Sequence, residues 1–256
     1  MNKELSIQVF SVRDKMTTEQ ETRETFKALS SYGFKGIQTA GDCVWGFENY
    51  AAAAKDAGLK IIGTHLGLDL LADIDEAVRV HNLFETKCAG VGGMPGLWSD
   101  DFSPKTVTDF IEQVNKIAEQ FGKYGLNFTY HHHDREFAKI GNETIMDILV
   151  RELDEKNASF VLDTYWLQTG GVSILEWLKK LEGRVKILHL KDYVVPFGKG
   201  GGSITELGSG NINFKDVIKA AEAYGVEDLC YEQDNAVNGD SLASAKQSAE
   251  YFYSII

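Results

Sequence analysis

The sequence predicts an α/β protein built as a closed (β/α)₈ TIM barrel, a single domain over residues 1–256. Three observations carry this expectation. First, 256 residues with 43% hydrophobic content can bury one substantial core, and eight-unit α/β barrels often fill this length. Second, one device recurs, a helix closed by glycine just ahead of an apolar run. It appears at Ser31-Tyr32-Gly33-Phe34, Asp56-Ala57-Gly58-Leu59, Lys123-Tyr124-Gly125-Leu126 and Ala223-Tyr224-Gly225-Val226. A glycine just past a helix takes the left-handed conformation that stops it at little cost. Third, with three prolines and no low-complexity stretch, nothing marks a linker or a domain boundary.

The elements follow that punctuation. Apolar runs suited to buried strands are Leu5–Phe10, Gly36–Thr39, Lys60–His65, Cys88–Val91, Leu126–His131, Ser159–Leu162, Val185–Leu190 and Asp228–Tyr231. Between them, Thr18–Tyr32 opens with a capping box from Thr18 to Glu21. Lys105–Tyr124 and Phe214–Tyr224 carry apolar residues at three- and four-residue spacing, as helices do. Strands alternating with helices imply a parallel sheet. A doubly wound sheet would call for a glycine-rich phosphate loop in the first strand-to-helix turn, and FSVRD has none.

A formal net charge of -12 opposes partners that attract Lys and Arg, so neither nucleic acid nor a membrane surface is expected. Cys43, Cys88 and Cys230 are odd in number and unpaired in spacing, which argues against a disulfide framework. The opening MNKELSIQVFSVRDKM has no apolar signal core, and no run is long enough to span a membrane. The expectation is a reduced, cytoplasmic protein acting on a small molecule, with room for a homo-oligomer.

In a barrel of this kind chemistry sits at the strand ends of the C-terminal mouth. Four successive runs end there in metal-ligating or proton-transfer groups. The fifth leads through His131-His132-His133-Asp134 to Glu136, the sixth ends at Asp163, the seventh at His189 and the eighth at Glu232. Any one of these acids is more often a helix cap or a solvated loop residue; four in phase are harder to dismiss. Three carboxylates and an imidazole suit a divalent ion such as Mn²⁺, Mg²⁺ or Co²⁺, with Zn²⁺ also open.

The segments HHHDREF, LDTYW, GRVKILHLKD, ELGSGNINF and YEQD resemble the xylose isomerase-like sugar phosphate isomerase/epimerase superfamily. Within it they are most similar to the group whose fifth strand reads His-Asn-His-Asp-x-Glu-Phe. The resemblance runs from Gln8 to the Glu232 region. It implies a (β/α)₈ barrel holding one divalent metal through Glu136, Asp163, His189 and Glu232, with His133 in a proton-transfer position. The chain departs from the pattern at His132, where the group has Asn, and at Gln38, where a Glu is usual. Trp166 stands where ketose 3-epimerases carry a substrate-contacting His. The related apurinic endonucleases also use a histidine there, which together with the negative charge argues against DNA repair.

The remaining expectations are more local. Strand alternation sends His131 and His133 to one face and His132 to the other, leaving His132 to packing. His65, His131, Trp166 and Lys191 are candidate substrate contacts, although Lys191 could instead pair with Asp192. Trp45 and Trp98 could wall a sugar pocket, while Trp177 reads as helix core and His81 as a surface or packing residue. The segment 194–210, with six glycines and Lys199, reads as a lid, a phosphate-contacting loop or a plain connector. The leading function is isomerase or epimerase action on a sugar, keto-sugar or inositol-derived ketone. It would proceed by proton transfer next to a carbonyl, with Glu136, Glu232 and His133 as acid/base groups. A lyase, dehydratase or keto-glycoside-cleaving enzyme would use the same first step, and a non-catalytic sugar-binding barrel would keep the fold without turnover.

Overall fold

A computed structural model describes residues 3–43, 45–198 and 200–256. Eight parallel strands close a barrel: Leu5–Gln8, Gly36–Gln38, Lys60–His65, Cys88–Val91, Asn127–His131, Ala158–Asp163, Val185–Leu190 and Asp228–Tyr231. The first strand pairs with both the second and the eighth. All eight expected runs are strands, and the differences are at their ends. The first stops at Gln8 because its side-chain carbonyl accepts the Phe10 N–H and opens a 3₁₀ helix, Val9–Lys15. The sixth runs on to Asp163 itself.

Helices cover the strands. Glu19–Ser31 starts on the expected Thr18–Glu21 capping box, and Pro104–Lys123 and Phe214–Ala223 follow the predicted periodicities. Gly33, Gly58, Gly125 and Gly225 all have positive φ, at 102°, 71°, 72° and 77°. A side chain at those turns would be strained, which is why the same punctuation recurs.

The core has two parts. Large side chains such as Phe26, Phe34, Phe128 and Phe160 fill the layer between strands and helices. Inside the barrel Cys88, Val161, Ile187 and Cys230 form a small apolar plug, with Ile62 against it. Ile62 is skipped in the pairing of the second and third strands, a bulge that accompanies its turn toward the interior. Because side chains alternate along a strand, the residues two places beyond Val161, Ile187 and Cys230 also point inward. Those residues are Asp163, His189 and Glu232, so the plug is the floor of the site. Val161→Ala or Ile187→Ala would open that floor at a cost of about 1–4 kcal/mol.

After the seventh strand, Asp192–Val194 pairs antiparallel with Ser203–Thr205. The Asp192 carboxylate accepts N–H groups of Tyr193, Gly208, Gly210 and Ile212 at 2.8, 2.9, 3.0 and 3.2 Å. The segment 194–210 is thus partly a ribbon, and Asp192 is bound to backbone rather than to Lys191. Lys199 lies outside the described residues. Among the described residues no helix is long and apolar enough to cross a membrane.

Candidate active site

His131, Asp163, His189 and Glu232 converge at the C-terminal mouth, each offering one ligand atom, all within 4.8 Å of one another. All four are buried. His131 Nδ1 lies 3.2 Å from the Gly92 carbonyl, and His189 Nε2 lies 2.6 Å from Gln38 Oε1. Donating a ring N–H to those oxygens leaves the other nitrogen of each imidazole with a lone pair facing the cluster. Asp163 Oδ1 accepts the N–H groups of Tyr165 and Trp166, at 2.8 and 3.0 Å, which caps the helix Thr164–Thr169. Its Oδ2 faces the same point as the imidazoles.

Among the described residues, His131 Nε2, Asp163 Oδ2, His189 Nδ1 and Glu232 Oε2 are buried without a hydrogen-bond partner. His189 Nδ1 does lie 2.9 Å from Glu232 Oε2, but without hydrogen-bond alignment. Buried polar atoms are rarely left unsatisfied, and here four orphans face one point. The donor set fits a divalent cation.

The electrostatics agree. Burial opposes a charge on His189, but Glu232 and Asp163 overcome it and hold the imidazole well above its ordinary pKa. Positive charge is thus favoured at this point, and a bound cation would take the place of the Nδ1 proton. Burial likewise opposes ionisation of Asp163 and Glu232, and Lys191 with the neighbouring imidazoles keeps both below the carboxylate range. Lys191 is 1% exposed, with Nζ 2.6 Å from Asp234 Oδ1, 3.5 Å from Glu232 Oε2 and 3.8 Å from Asp163 Oδ2. Burial would discharge it, but the three carboxylates keep it charged. Asp234 is the exception among the acids, since burial outweighs Lys191 and raises its pKa.

Glu136, expected as a metal ligand and acid/base group, is not brought to this cluster, and His131 stands there instead. Tyr130 faces outward against Phe110 of the helix Pro104–Lys123. Its hydroxyl donates to Glu136 Oε1 at 2.5 Å, and the His133 N–H donates to Glu136 Oε2 at 3.1 Å. The short 3₁₀ turn Arg135–Phe137 thereby folds the fully buried carboxylate back along the outer face of the wall.

His133 borders the central cavity, with its ring 4.7 Å from Trp98 and 5.1 Å from Trp166. Burial and the neighbouring His131 and His132 push its pKa down to about 2. It is held as a neutral imidazole, a weaker base than the expected proton-transfer role calls for. His132 points the other way, as alternation predicts. Its Nε2 accepts the Asp163 N–H at 3.1 Å, its Nδ1 lies 3.1 Å from the His133 carbonyl, and its ring packs edge-on to Phe137.

His65 borders the cavity between two amides, 3.1 Å from Gln8 Nε2 and 2.9 Å from Gln38 Nε2. Trp166 stands behind His133 and under Lys191, whose Nζ is 4.8 Å from the indole centroid. His81 is buried, not on the surface, bonded to Thr64 and Ala77. Trp177 is core, as expected. The sequence reading missed Gln8, Asp234 and the ligand-like role of His131. The period-two facing of His131 was the available signal for the last of these.

The central cavity has a volume of about 480 Å³, and Gln8, His65, Lys191 and Asp234 are among its walls. Fold and site together define a barrel that carries its chemistry at the strand ends. The chain belongs to the xylose isomerase-like TIM barrel family, whose pattern it matches over residues 26–255. It is similar to an inosose dehydratase of Geobacillus thermodenitrificans, 30% identical over 143 residues, or 50% of this chain and 47% of that protein. It spans about half the length of the curated relatives it matches. A crystal structure of a sugar phosphate isomerase/epimerase from Parabacteroides distasonis has a TM-score of 0.79 at 20% identity, covering 98% of this chain and 93% of that one. A xylose isomerase-like TIM barrel protein from Mycobacterium smegmatis in complex with magnesium has a TM-score of 0.71 at 17% identity, covering 94% and 90%. At such identities these two structures show the shared fold alone.

Proposed function

We propose that the chain is a divalent-metal-dependent lyase that acts on a sugar, keto-sugar or inositol-derived ketone, removing a proton next to the carbonyl and expelling a β leaving group. The observation that carries this reading is the convergence of four unpartnered ligand atoms beside a buried lysine–carboxylate pair. His131, Asp163, His189 and Glu232 would hold the ion. Two imidazoles in place of one move the preference from Mg²⁺ toward Mn²⁺, Co²⁺ or Zn²⁺. A bound ion would supply the positive charge that polarises the ketone and lowers the cost of the enediolate.

The chain's own groups divide the remaining work. Asp234 lines the cavity and is the stronger base of the two nearby carboxylates, because its pKa is raised while that of Glu232 is lowered. Lys191, fixed at 2.6 Å from Asp234, presents positive charge to the developing oxyanion in a buried setting, where such charge is most effective. His133 hydrogen-bonds and orients the substrate as a neutral imidazole.

Elimination is favoured over epimerisation because Glu136 is withdrawn from the cavity and one carboxylate suffices for it. Asp234 takes the carbon-bound proton and returns it to the departing hydroxyl, which leaves as water. Exchange on two faces of one carbon needs two acid/base groups, and His133 is a poor second base. The similarity to an inosose dehydratase supports the same outcome. The test is turnover of a panel of inosoles and keto-sugars with Mn²⁺ in D₂O, read by NMR and mass spectrometry. A product lighter by its leaving group is expected. A product that keeps its leaving group and carries deuterium next to the carbonyl would return the reading to isomerase or epimerase. Activity that survives full chelation would sink the metal-dependent mechanism.

A further inference from the structure

A second cavity of about 130 Å³ opens beside the first, and the two share Phe10, Ala40 and Gly41 in their walls. Its lining includes Thr39, Tyr50 and Trp45. Thr39 is 1% exposed and Tyr50 4%. Among the described residues, the hydroxyls of both are buried without a hydrogen-bond partner. The backbone of Thr39 is fully engaged, its N–H to Gly63 and its carbonyl from His65 and Gln8, so only its side chain is left open. The Trp45 ring stacks on Tyr50 at 5.4 Å between centroids, making one wall flat and aromatic.

We infer that this side cavity is a subsite for a second, neutral, hydroxyl-bearing ring carried by the substrate, hydrogen-bonded by Thr39 and Tyr50; the inference rests on the central cavity holding a sugar-like ketone. Buried hydroxyls left without partners are costly, and two of them in one cavity wall mark a place where a polar ligand completes the bonding. An aromatic plate suits the apolar face of a sugar ring. Neutrality follows from the lining charges. Arg13 and Asp42 both border the cavity, and Arg13 Nη1 is already committed to the carbonyls of Phe10 and Asp234, each at 2.7 Å. A phosphate would be repelled by the Asp42 carboxylate and would find one of the two terminal nitrogens of Arg13 already engaged. The substrate class this defines is a keto-sugar with a second ring attached, rather than a free single-ring inosose.

Calorimetric titration of the full chain, with and without Mn²⁺, tests this with methyl glucoside, glucose 6-phosphate, cellobiose, maltose and trehalose as probes. At least one disaccharide is expected to bind about tenfold more tightly than methyl glucoside. Thr39→Val and Tyr50→Phe should each remove about threefold to tenfold of that advantage and leave methyl glucoside binding unchanged. Because neither hydroxyl has a protein partner, both variants should melt within about 3 °C of the parent chain. Equal binding of one- and two-ring sugars, no disaccharide binding at millimolar concentration, or variants that weaken both classes alike would overturn the proposal. A gain confined to glucose 6-phosphate would overturn it in favour of an anionic ligand. Turnover is not read in these titrations. A hydroxyl-dependent disaccharide increment in a protein that converts no ketone would therefore remove the proposed reaction and keep the subsite.

Discussion

Replacing Glu136 by Gln separates an acid that binds metal from one that holds the wall together. The carboxylate is fully buried and accepts two hydrogen bonds, 2.5 Å from Tyr130 and 3.1 Å from His133. Gln keeps the shape and one acceptor but sets an NH₂ group against one of the two donors. Hydrogen bonds to a charged group contribute about 1.5–3 kcal/mol, and burial raises the Glu136 pKa, which shrinks the ionised acid's advantage. The net loss should be about 1–2 kcal/mol, or about 2–8 °C in melting temperature for a chain of this size. Mn²⁺ affinity, measured by titration calorimetry at a temperature where the variant is folded, should stay within about threefold of the parent. His131→Ala, by contrast, removes a ligand atom and should cost at least the 10–100-fold seen for lesser perturbations of metal sites. A folded Glu136→Gln variant that loses Mn²⁺ as badly as His131→Ala would refute the assignment.

Asp163→Asn should weaken Mn²⁺ binding more than about tenfold while the apoprotein melts near the parent, because Asn keeps the oxygen that caps Tyr165 and Trp166; unchanged affinity would count against the cluster. Gln38→Leu removes the acceptor that fixes His189 and should cost about 10–100-fold in metal affinity, with Gln38→Glu restoring it; equal losses in both variants would show that the position matters only for packing. Asp234→Asn should abolish carbon-bound deuterium exchange with metal binding retained, and persistent exchange would move the base elsewhere. At the opposite end of the barrel, burial and then Glu227 raise the Asp228 pKa from 3.8 to about 6. The folded state thus resists this charge, a penalty fully present above pH 6 and lost as pH falls below the unfolded value. Asp228→Asn should stabilise the chain at pH 7–8 by about 1–2 kcal/mol after allowance for partial exposure, with no gain near pH 3; a gain independent of pH would contradict the cause.

Much of this architecture was legible before any coordinates. Apolar runs and helix-stopping glycines are local signals, and the positive φ at Gly33, Gly58, Gly125 and Gly225 shows why they are reliable. Asp163, His189 and Glu232 were readable because each ends a regular strand, where alternation fixes the facing. Glu136 was not, because it lies beyond the strand in a turn. Its direction is set by Tyr130, six residues earlier and on the outer face of the wall. The amides of Gln8 and Gln38 around His65 join positions 27 to 57 residues apart, and no local pattern encodes such a meeting. Asp234 was visible as an acid in YEQD, but its elevated pKa depends on burial beside Lys191 and Glu232, which only the closed barrel creates.

Asp192 gathers four N–H groups drawn from both ends of the excursion that leaves the seventh strand. The two ends are therefore knotted at one carboxylate. The returning limb is tied down as well, since Thr205, Glu206 and Leu207 are buried and Glu206 and Leu207 bond to Ser244 and Ser248. It is the outer stretch 195–198 that hangs from the knot. Phe197, fully exposed near the tip, shows how little the barrel asks of the residues out there. Such a segment can be shortened, lengthened or exchanged with small thermodynamic penalty, because loop closure depends only weakly on length and the closing contact is already made. The excursion is thus a natural graft point. Evolution or an engineer could rewrite its middle to greet a different surface while the knot, the strand and His189 behind them stay in place.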